Sequence, residues 1–199
     1  GISSSGSGFL VRQASNPLKL ARKKIRTIDA TQPFTYGEIA FMHNGVVNEP
    51  RKVMGELHEP GVLPRSKNDS KVYFIIFIKY LKELGDARKA FAATEKFITK
   101  AHEKVKDEGD TDKPAYTSLN AIVADGSHVY AFNKYTRNLT KSVSDPGREY
   151  YKMCYREENG TMLIASEPTD ESEWHDIGNG KFLDAWIDGG EVKYSLKSV

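Results

Sequence analysis

Cysteine is almost absent from this sequence, which contains only Cys154 among its 199 residues. A single thiol excludes an internal disulfide framework and fits a reducing compartment, so we take the cytoplasm as the expected location. Cys154 lies in an alternating aromatic run, residues 150–155, which is typical of a half-buried strand. Because a free cysteine usually behaves as a small core residue, we interpret Cys154 as a structural thiol.

Long apolar runs and metal-ligand patterns are also missing. The longest apolar run, residues 72–78, ends at Lys79 and is much shorter than the roughly 20 residues that cross a bilayer. We expect this run in a protein core and predict no membrane partner. The five histidines have no ligand spacing, and no glycine-rich phosphate loop occurs, so neither a metal nor a cofactor is predicted.

Charge is nearly balanced. The formal net charge is +2, with 28% charged and 39% hydrophobic residues, which is ordinary for a globular protein and gives no overall attraction to nucleic acid. One basic cluster is the exception, and it consists of Lys19, Arg22, Lys23, Lys24 and Arg26. A phosphate-binding patch and a solvated segment containing one substrate-binding arginine explain this cluster equally well. No nucleic-acid partner enters the expected function.

The order of the predicted elements favours one α+β domain over residues 1–199. Short strand patterns come first, two amphipathic helices follow, and strands with hairpin turns fill the second half. This order differs from the alternating βαβ units of a parallel sheet. The predicted early strands are 9–12 and 38–42, the helices 68–84 and 87–106, and the later strands 118–124, 128–132, 151–156, 161–166, 181–187 and 191–196. The charged stretch 107–114 is predicted to be a flexible loop.

His43, Asn44 and Gly45 follow the second predicted strand and have the chemistry of an amide-binding site. Hydrolysis of a carboxamide needs hydrogen-bond donors aimed at the oxygen that becomes negative in the tetrahedral intermediate. An asparagine side chain supplies N–H groups, and glycine lets a backbone N–H approach without an intervening Cβ. Asn-Gly is also the commonest short hairpin signal, so a simple turn is the competing interpretation.

Four segments together resemble the glutaminase domain of class II glutamine amidotransferases, in the branch of stand-alone amidotransferase-like proteins. They are residues 31–34 (Thr-Gln-Pro-Phe), 41–46 (Phe-Met-His-Asn-Gly-Val), 68–70 (Asn-Asp-Ser) and 165–168 (Ala-Ser-Glu-Pro), the last followed by Trp174. The resemblance implies the four-layer αββα fold of N-terminal-nucleophile hydrolases, in which helices enclose two antiparallel sheets. It also implies hydrolysis of glutamine or a γ-glutamyl amide through a cysteinyl thioester.

The same resemblance implies roles for individual residues. Asn44 and Gly45 correspond to the oxyanion hole, and His43 to a residue of the substrate-binding segment. Arg22 corresponds to the arginine that holds the substrate carboxylate, although Arg26 could serve instead. Asp69 corresponds to the carboxylate that receives the substrate ammonium. An N-cap of the following helix is the alternative role for Asp69.

The sequence departs from the family at its nucleophile. The family begins with a cysteine, whereas this sequence begins with Gly1, so we expect the catalytic cysteine upstream of Gly1. Ala30 and Lys71 also replace the residues that are usual in the family. These departures keep open an alternative, a non-catalytic amidotransferase-like module that binds a ligand or a partner. The expected partner is a small molecule, glutamine or a γ-glutamyl compound, and a partner subunit or a homo-oligomer is left open.

Overall fold

The structure is a computed structural model that describes residues 8–12, as backbone, and residues 31–57, 68–107, 112–136 and 150–199 with their side chains. The strands are β1 Gly8–Arg12, β2 Phe34–Tyr36, β3 Ile39–Val47, β4 Tyr116–Ala124, β5 His128–Asn133, β6 Cys154–Glu158, β7 Thr161–Ala165, β8 His175–Asp176, β9 Lys181–Asp188 and β10 Glu191–Ser198. The helices are α1 Pro50–Gly55, α2 Asp69–Leu84 and α3 Ala87–Asp107.

Two sheets form the centre of the fold. The larger is antiparallel throughout, with the strand order β10-β9-β5-β4-β3-β2. The smaller has the order β1-β7-β6-β8. Its β1–β7 pair is parallel, unlike the purely antiparallel sheets that we expected, whereas β6 pairs antiparallel with both β7 and β8.

Each face of the larger sheet buries a separate hydrophobic core. One core packs the three helices on the sheet and includes Phe41, Phe77 and Phe91, each with no exposed surface. The other joins the two sheets through residues such as Leu183 of β9 and Met162 of β7. The order is therefore helices, larger sheet, smaller sheet, which confirms the predicted α+β sandwich. All three described helices lie on one side, so a second helical layer is not among the described residues.

The two long helices match their predicted bounds closely. Asn68 caps α2 by accepting a hydrogen bond from the Lys71 backbone N–H at 3.2 Å, and Gly85 ends the helix in a left-handed conformation with a φ of 61°. The helical spacing of Phe74, Phe77, Ile78, Leu81 and Leu84 predicts one apolar face, but Leu84 is 44% exposed. Its neighbours Lys82, Glu83 and Gly85 are also exposed, so the last turn of α2 lies at the surface.

Some sequence predictions fall at or beyond the edge of the described chain. Helix α3 ends at Asp107, and residues 108–111 of the predicted loop lie outside the described residues. The assignment of a single domain stays a prediction. In the ranges that the structure describes, no helix combines the length and apolar character that crossing a membrane requires.

Candidate functional site

The predicted site residues lie inside β3 rather than in a turn after it. The burial of β3 alternates, because successive side chains of a strand point to opposite faces of the sheet. Phe41, His43, Gly45 and Val47 face the helices, whereas Asn44 faces the smaller sheet. The simple hairpin turn that competed for Asn44 and Gly45 is therefore wrong, because both pair with β4, opposite Asn120 and Leu119.

The His43 ring is a buried link between three elements. Its side chain is 3% exposed, its Nε2 lies 3.0 Å from the Ser118 carbonyl oxygen of β4, and its Nδ1 lies 3.0 Å from the Ser70 hydroxyl of α2. Since a carbonyl can only accept, Nε2 carries the proton, and in the neutral ring Nδ1 accepts from the Ser70 hydroxyl. Both ring nitrogens thus have protein partners. A substrate contact through the His43 side chain stays a prediction.

The outer edge of β3 is occupied by side chains instead of a strand. β2 pairs with β3 only as far as Phe41. Beyond that point the Gln32 carboxamide bonds both backbone groups of His43, accepting from its N–H at 2.6 Å and donating to its carbonyl at 3.1 Å. Further along, the Asp69 carboxylate accepts the Val47 N–H at 3.1 Å. Two side chains therefore replace the missing neighbouring strand.

The Gly45 backbone lies between these two side chains. In an antiparallel ladder, alternate residues direct their N–H and C=O groups to opposite edges. The His43 and Val47 N–H groups bond Gln32 and Asp69 at the outer edge. Gly45 lies two residues from each of them. The Gly45 N–H is thus directed to the outer edge, flanked by a carboxamide and a carboxylate.

A close approach to β4 explains why position 45 is glycine. A Cβ at this position would lie 2.0 Å from the Ser118 carbonyl oxygen and 2.8 Å from His43 Nε2. The pairing of β3 with β4 is irregular between Gly45 and Val47. In this stretch the Val46 N–H donates to the Thr117 hydroxyl at 3.1 Å, and the same hydroxyl accepts from the Tyr151 hydroxyl at 3.0 Å. The irregularity is thus held by side chains and requires glycine.

Asn44 lines a narrow cleft between the two sheets. The empty space of the cleft, including its open side, is about 250 Å³. Its lining is made of Met42, His43, Asn44, Asn120, Ile122, Met153 and Ser166. Because Ser166 belongs to the predicted Ala-Ser-Glu-Pro segment, the fold brings that segment to the same cleft as Asn44.

Two buried asparagines hold the chain that runs from the larger sheet to β6. Asn133 donates to the Asn120 side-chain oxygen at 2.7 Å and to the Tyr151 carbonyl at 2.8 Å, and it accepts from the Met153 N–H at 3.3 Å. Asn120 donates to the same Tyr151 carbonyl at 2.8 Å. These bonds fix Met153, one wall of the cleft, to the sheet that carries Asn44.

The loop after Ser166 is held by Asp170. Its carboxylate accepts from the Ser172 N–H at 3.0 Å, the Trp174 indole N–H at 3.1 Å and the Arg156 guanidinium at 2.9 Å. These bonds, led by the one from the Ser172 backbone, lower the pKa of Asp170 to about 2. The carboxylate therefore stays charged over the physiological pH range.

Asp69 lies at the first turn of α2, directly after the cap. Asn68, and not Asp69, accepts the capping hydrogen bond, so the predicted capping alternative for Asp69 is wrong. The Asp69 carboxylate instead accepts the Val47 N–H, which joins the start of α2 to the end of β3. Along a strand at roughly 3.3 Å per residue, Val47 is about 10 Å from Asn44. That distance fits an extended glutamine with a hydrogen bond at each end.

The remaining predicted residues divide into two groups. Arg22 and Arg26 lie outside the described residues, as does Gly1. Cys154 is fully buried at the start of β6, with its Sγ 3.6 Å from the Ala165 carbonyl oxygen, which confirms its interpretation as a structural thiol.

In the described chain, no group of three or more acidic, histidine or cysteine residues could hold a metal ion.

Sequence reasoning missed the residues that support β3. Ser70, Thr117 and Ser118 contact the site through hydrogen bonds that span 27 to 75 positions. Ser70 alone had a signal, its place in the Asn-Asp-Ser segment. Thr117 and Ser118 had none, because a serine or threonine in a strand carries no mark of its distant partner.

Comparison with known proteins links this arrangement to a fold. No protein-family model and no curated protein matches the chain. Among solved structures, a glutamine aminotransferase class-II domain protein from Silicibacter pomeroyi matches with a TM-score of 0.61 and 20% identity, over 84% of this chain and 70% of the other.

Two further solved structures match with a TM-score of 0.48. A predicted glutamine amidotransferase from Pseudomonas aeruginosa is 18% identical over 83% of this chain and 65% of its own. A glutamine phosphoribosylpyrophosphate amidotransferase from Bacillus subtilis is 12% identical over 85% of this chain and 32% of its own. The chain has the α+β sandwich fold of the Silicibacter pomeroyi class-II domain protein.

Proposed function

We propose that this protein binds glutamine or a γ-glutamyl amide at the outer edge of β3 and hydrolyses its carboxamide. The observation that carries the proposal is the arrangement at this edge. Gln32 and Asp69 bond the backbone N–H groups on either side of Gly45, whose own N–H is directed to the same edge. Asn44, the second proposed donor, lines the adjoining cleft.

The charges at the site suit an α-amino acid. Such a substrate presents an ammonium and a carboxylate, so it needs one fixed anion and one fixed cation. Asp69 is the proposed anion, and it approaches the end of β3 through its bond to Val47. Arg22 is the proposed cation, on the resemblance alone.

The proposed reaction proceeds in two steps. A thiol attacks the carboxamide carbon while its proton passes to a general base, and the oxygen becomes negative. Collapse of the intermediate breaks the C–N bond, and the base gives the proton to the leaving nitrogen, which departs as ammonia or an amine. Water then attacks the thioester, which releases the carboxylic acid and regenerates the thiol. Asn44 and the Gly45 N–H stabilise the negative oxygen in both steps.

The thiol in this scheme comes from a residue upstream of Gly1. The sequence contains one cysteine, and Cys154 has no exposed surface and lies between two strands of the smaller sheet. Attack by Cys154 would require this fully buried thiol to become exposed. The burial of Cys154 therefore supports a nucleophile from outside the 199 residues.

The test compares turnover and binding in the full-length protein. Asn44→Asp keeps the shape of the side chain but replaces the donor by an acceptor, so we expect kcat for glutamine to fall by about 10²–10³. KM should change little, because the donor acts mainly on the transition state. Asn179→Asp is the matched control, because Asn179 lies in an exposed turn and its hydrogen bonds within the described chain are with the Tyr135 backbone.

The same assay distinguishes the alternative function. Calorimetric binding of glutamine without turnover by full-length protein supports a non-catalytic amidotransferase-like module. Turnover that is unchanged in Asn44→Asp contradicts the proposed oxyanion hole. The absence of both binding and turnover contradicts both functions.

A further inference from the structure

β10 is an edge strand with an apolar face. Within the described chain it pairs only with β9, along all eight of its residues, 191–198. Tyr194 is 45% exposed and Leu196 is 40% exposed, although both point to the same side of the sheet as Val192, which packs on the core between the sheets. A long exposed edge of this kind can accept a further strand.

The hairpin geometry decides which backbone groups of β10 face outward. Gly189 and Gly190 form a two-residue turn with φ angles of 59° and 83°, and the flanking residues Asp188 and Glu191 pair directly. In such a turn the flanking pair exchanges hydrogen bonds, so odd-numbered residues of β10 bond to β9. Val199 is also odd-numbered, and its N–H donates to the Gly180 carbonyl, just before β9, at 3.1 Å.

The outward N–H and C=O groups therefore belong to Val192, Tyr194 and Leu196. The Ser198 carbonyl, next in this series, already accepts from the Arg88 guanidinium at 3.1 Å. The usable edge thus ends before Ser198, with three residues of the same parity.

We propose that β10 pairs antiparallel with β10 of a second copy of this chain, about a two-fold axis through Tyr194. Each Tyr194 then lies opposite its counterpart, and Val192 of one copy lies opposite Leu196 of the other. The two large sheets become one continuous sheet. The three outward residues of each copy exchange backbone hydrogen bonds with those of the other.

The charges on the other face of β10 favour this register. Glu191 of each copy lies opposite Lys197 of the other, which gives two opposite-charge pairs across the symmetric contact, and Lys193 lies opposite Ser195. Because the outward groups belong to alternate residues, the residue paired with a given position can change only by an even number, and the nearest alternative registers are shifts of two in either direction. A shift in one direction puts Lys193 opposite Lys193, and a shift in the other puts it opposite Lys197. Both alternatives place like charges together.

Charge reversal with rescue tests the pairing. Sedimentation velocity of the protein over a concentration series should show a reversible monomer–dimer equilibrium. Glu191→Lys and Lys197→Glu should each weaken dimerisation by about tenfold, since two attractive pairs become repulsive. The double variant restores opposite charges, so its dissociation constant should return to near that of the starting protein.

Two matched controls separate the register from net charge. Glu103→Lys and Lys89→Glu change the net charge by the same amounts at exposed positions of α3, and they should leave the equilibrium unchanged.

Tyr194→Lys puts two lysines opposite each other at the axis and should abolish the dimer, whereas Tyr194→Phe should keep it. Circular dichroism of each variant checks that the fold is retained.

The outcomes decide the proposal in either direction. Dimerisation about tenfold weaker in each folded single variant, with recovery in the double variant, supports it. A monomer at every concentration overturns it. A dimer that withstands both single reversals, or one that the double reversal fails to restore, also overturns it, because the contact then lies elsewhere or in another register.

Discussion

At the scale of single residues, replacing Gly45 by alanine adds a methyl group where the Ser118 carbonyl already lies. The added Cβ would be 2.0 Å from that oxygen, and the oxygen belongs to backbone in the middle of the larger sheet. We expect Gly45→Ala to lower the free energy of unfolding by about 1–3 kcal/mol or more, as overpacking of a rigid site does. Urea denaturation measures this change.

Gly55 provides the control for this prediction. It lies at the end of α1, and a Cβ built on it would meet nothing within 4 Å. Gly55→Ala should therefore be neutral or stabilise the protein by about 0.4–1 kcal/mol. Equal effects of the two substitutions would contradict a steric origin for Gly45.

Asp69 is predicted to hold the substrate ammonium, and the neighbouring cap permits a clean comparison. Asp69→Asn keeps an oxygen that can accept the Val47 N–H, so the melting temperature should barely change. Loss of the charge-assisted hydrogen bond to the substrate should lower kcat/KM of the full-length protein by about ten- to a hundredfold.

Asn68→Ala should give the opposite pattern. It removes the capping bond to the Lys71 N–H and should lower the free energy of unfolding by about 1 kcal/mol without changing kcat/KM. If Asp69→Asn retains the original kcat/KM, Asp69 serves only to join α2 to β3.

At the scale of elements, α3 contains a histidine that makes stability depend on pH. His102 is 3% exposed, and its Nε2 has no hydrogen-bond partner among the described residues. Burial lowers the pKa of His102 from its ordinary 6.5, with Glu49 opposing this shift and Lys106 adding to it. The unfolded chain therefore binds a proton at a higher pH than the folded protein.

The sign of the effect follows from this difference in pKa. The contribution of neutral His102 to stability is complete above pH 6.5 and is lost as the pH falls through the lowered folded pKa. His102→Leu removes this contribution. We expect its melting temperature to fall less than that of the unchanged protein as the pH is lowered from about 7 to 5. Parallel pH profiles from calorimetry would contradict the prediction.

At the scale of the whole molecule, the two sheets should unfold together. The core between them takes Ile122 and Leu183 from the larger sheet and Met162 and Ile164 from the smaller. Neither sheet can expose this core without exposing that of the other, which favours one cooperative transition.

The two tryptophans can report on the two sheets separately. Trp186 lies in β9 of the larger sheet, and Trp174 bonds Asp170 and lies 4.9 Å from the Arg156 guanidinium of β6. Trp186→Phe and Trp174→Phe leave one reporter each. We expect their fluorescence midpoints in urea to coincide with the midpoint from circular dichroism. An earlier Trp174 transition would mean that the smaller sheet unfolds first.

Local signals in the sequence were enough to predict several elements. Helices α2 and α3 repeat apolar residues at the helical period, and the hairpins carry glycine where the turn needs a positive φ, as Gly160 does with 71°. The His-Asn-Gly segment was also found from sequence, because its chemistry is contained in adjacent residues. α1 and the short strands β2 and β8 were missed, because two to six residues show no clear periodicity.

The surroundings of the His-Asn-Gly segment depend on contacts between distant parts of the chain. His43 bonds a carbonyl 75 positions away, and Gln32 replaces the neighbouring strand 11 positions before it. The choice between Asn68 and Asp69 as the cap depended on which oxygen reaches the helix N–H groups, and Asp69 instead bonds β3. Such contacts depend on how distant segments approach in space, and a linear pattern contains no distances. The sequence therefore predicted which residues to examine, and the packing of β3, β4 and α2 determined how they are held.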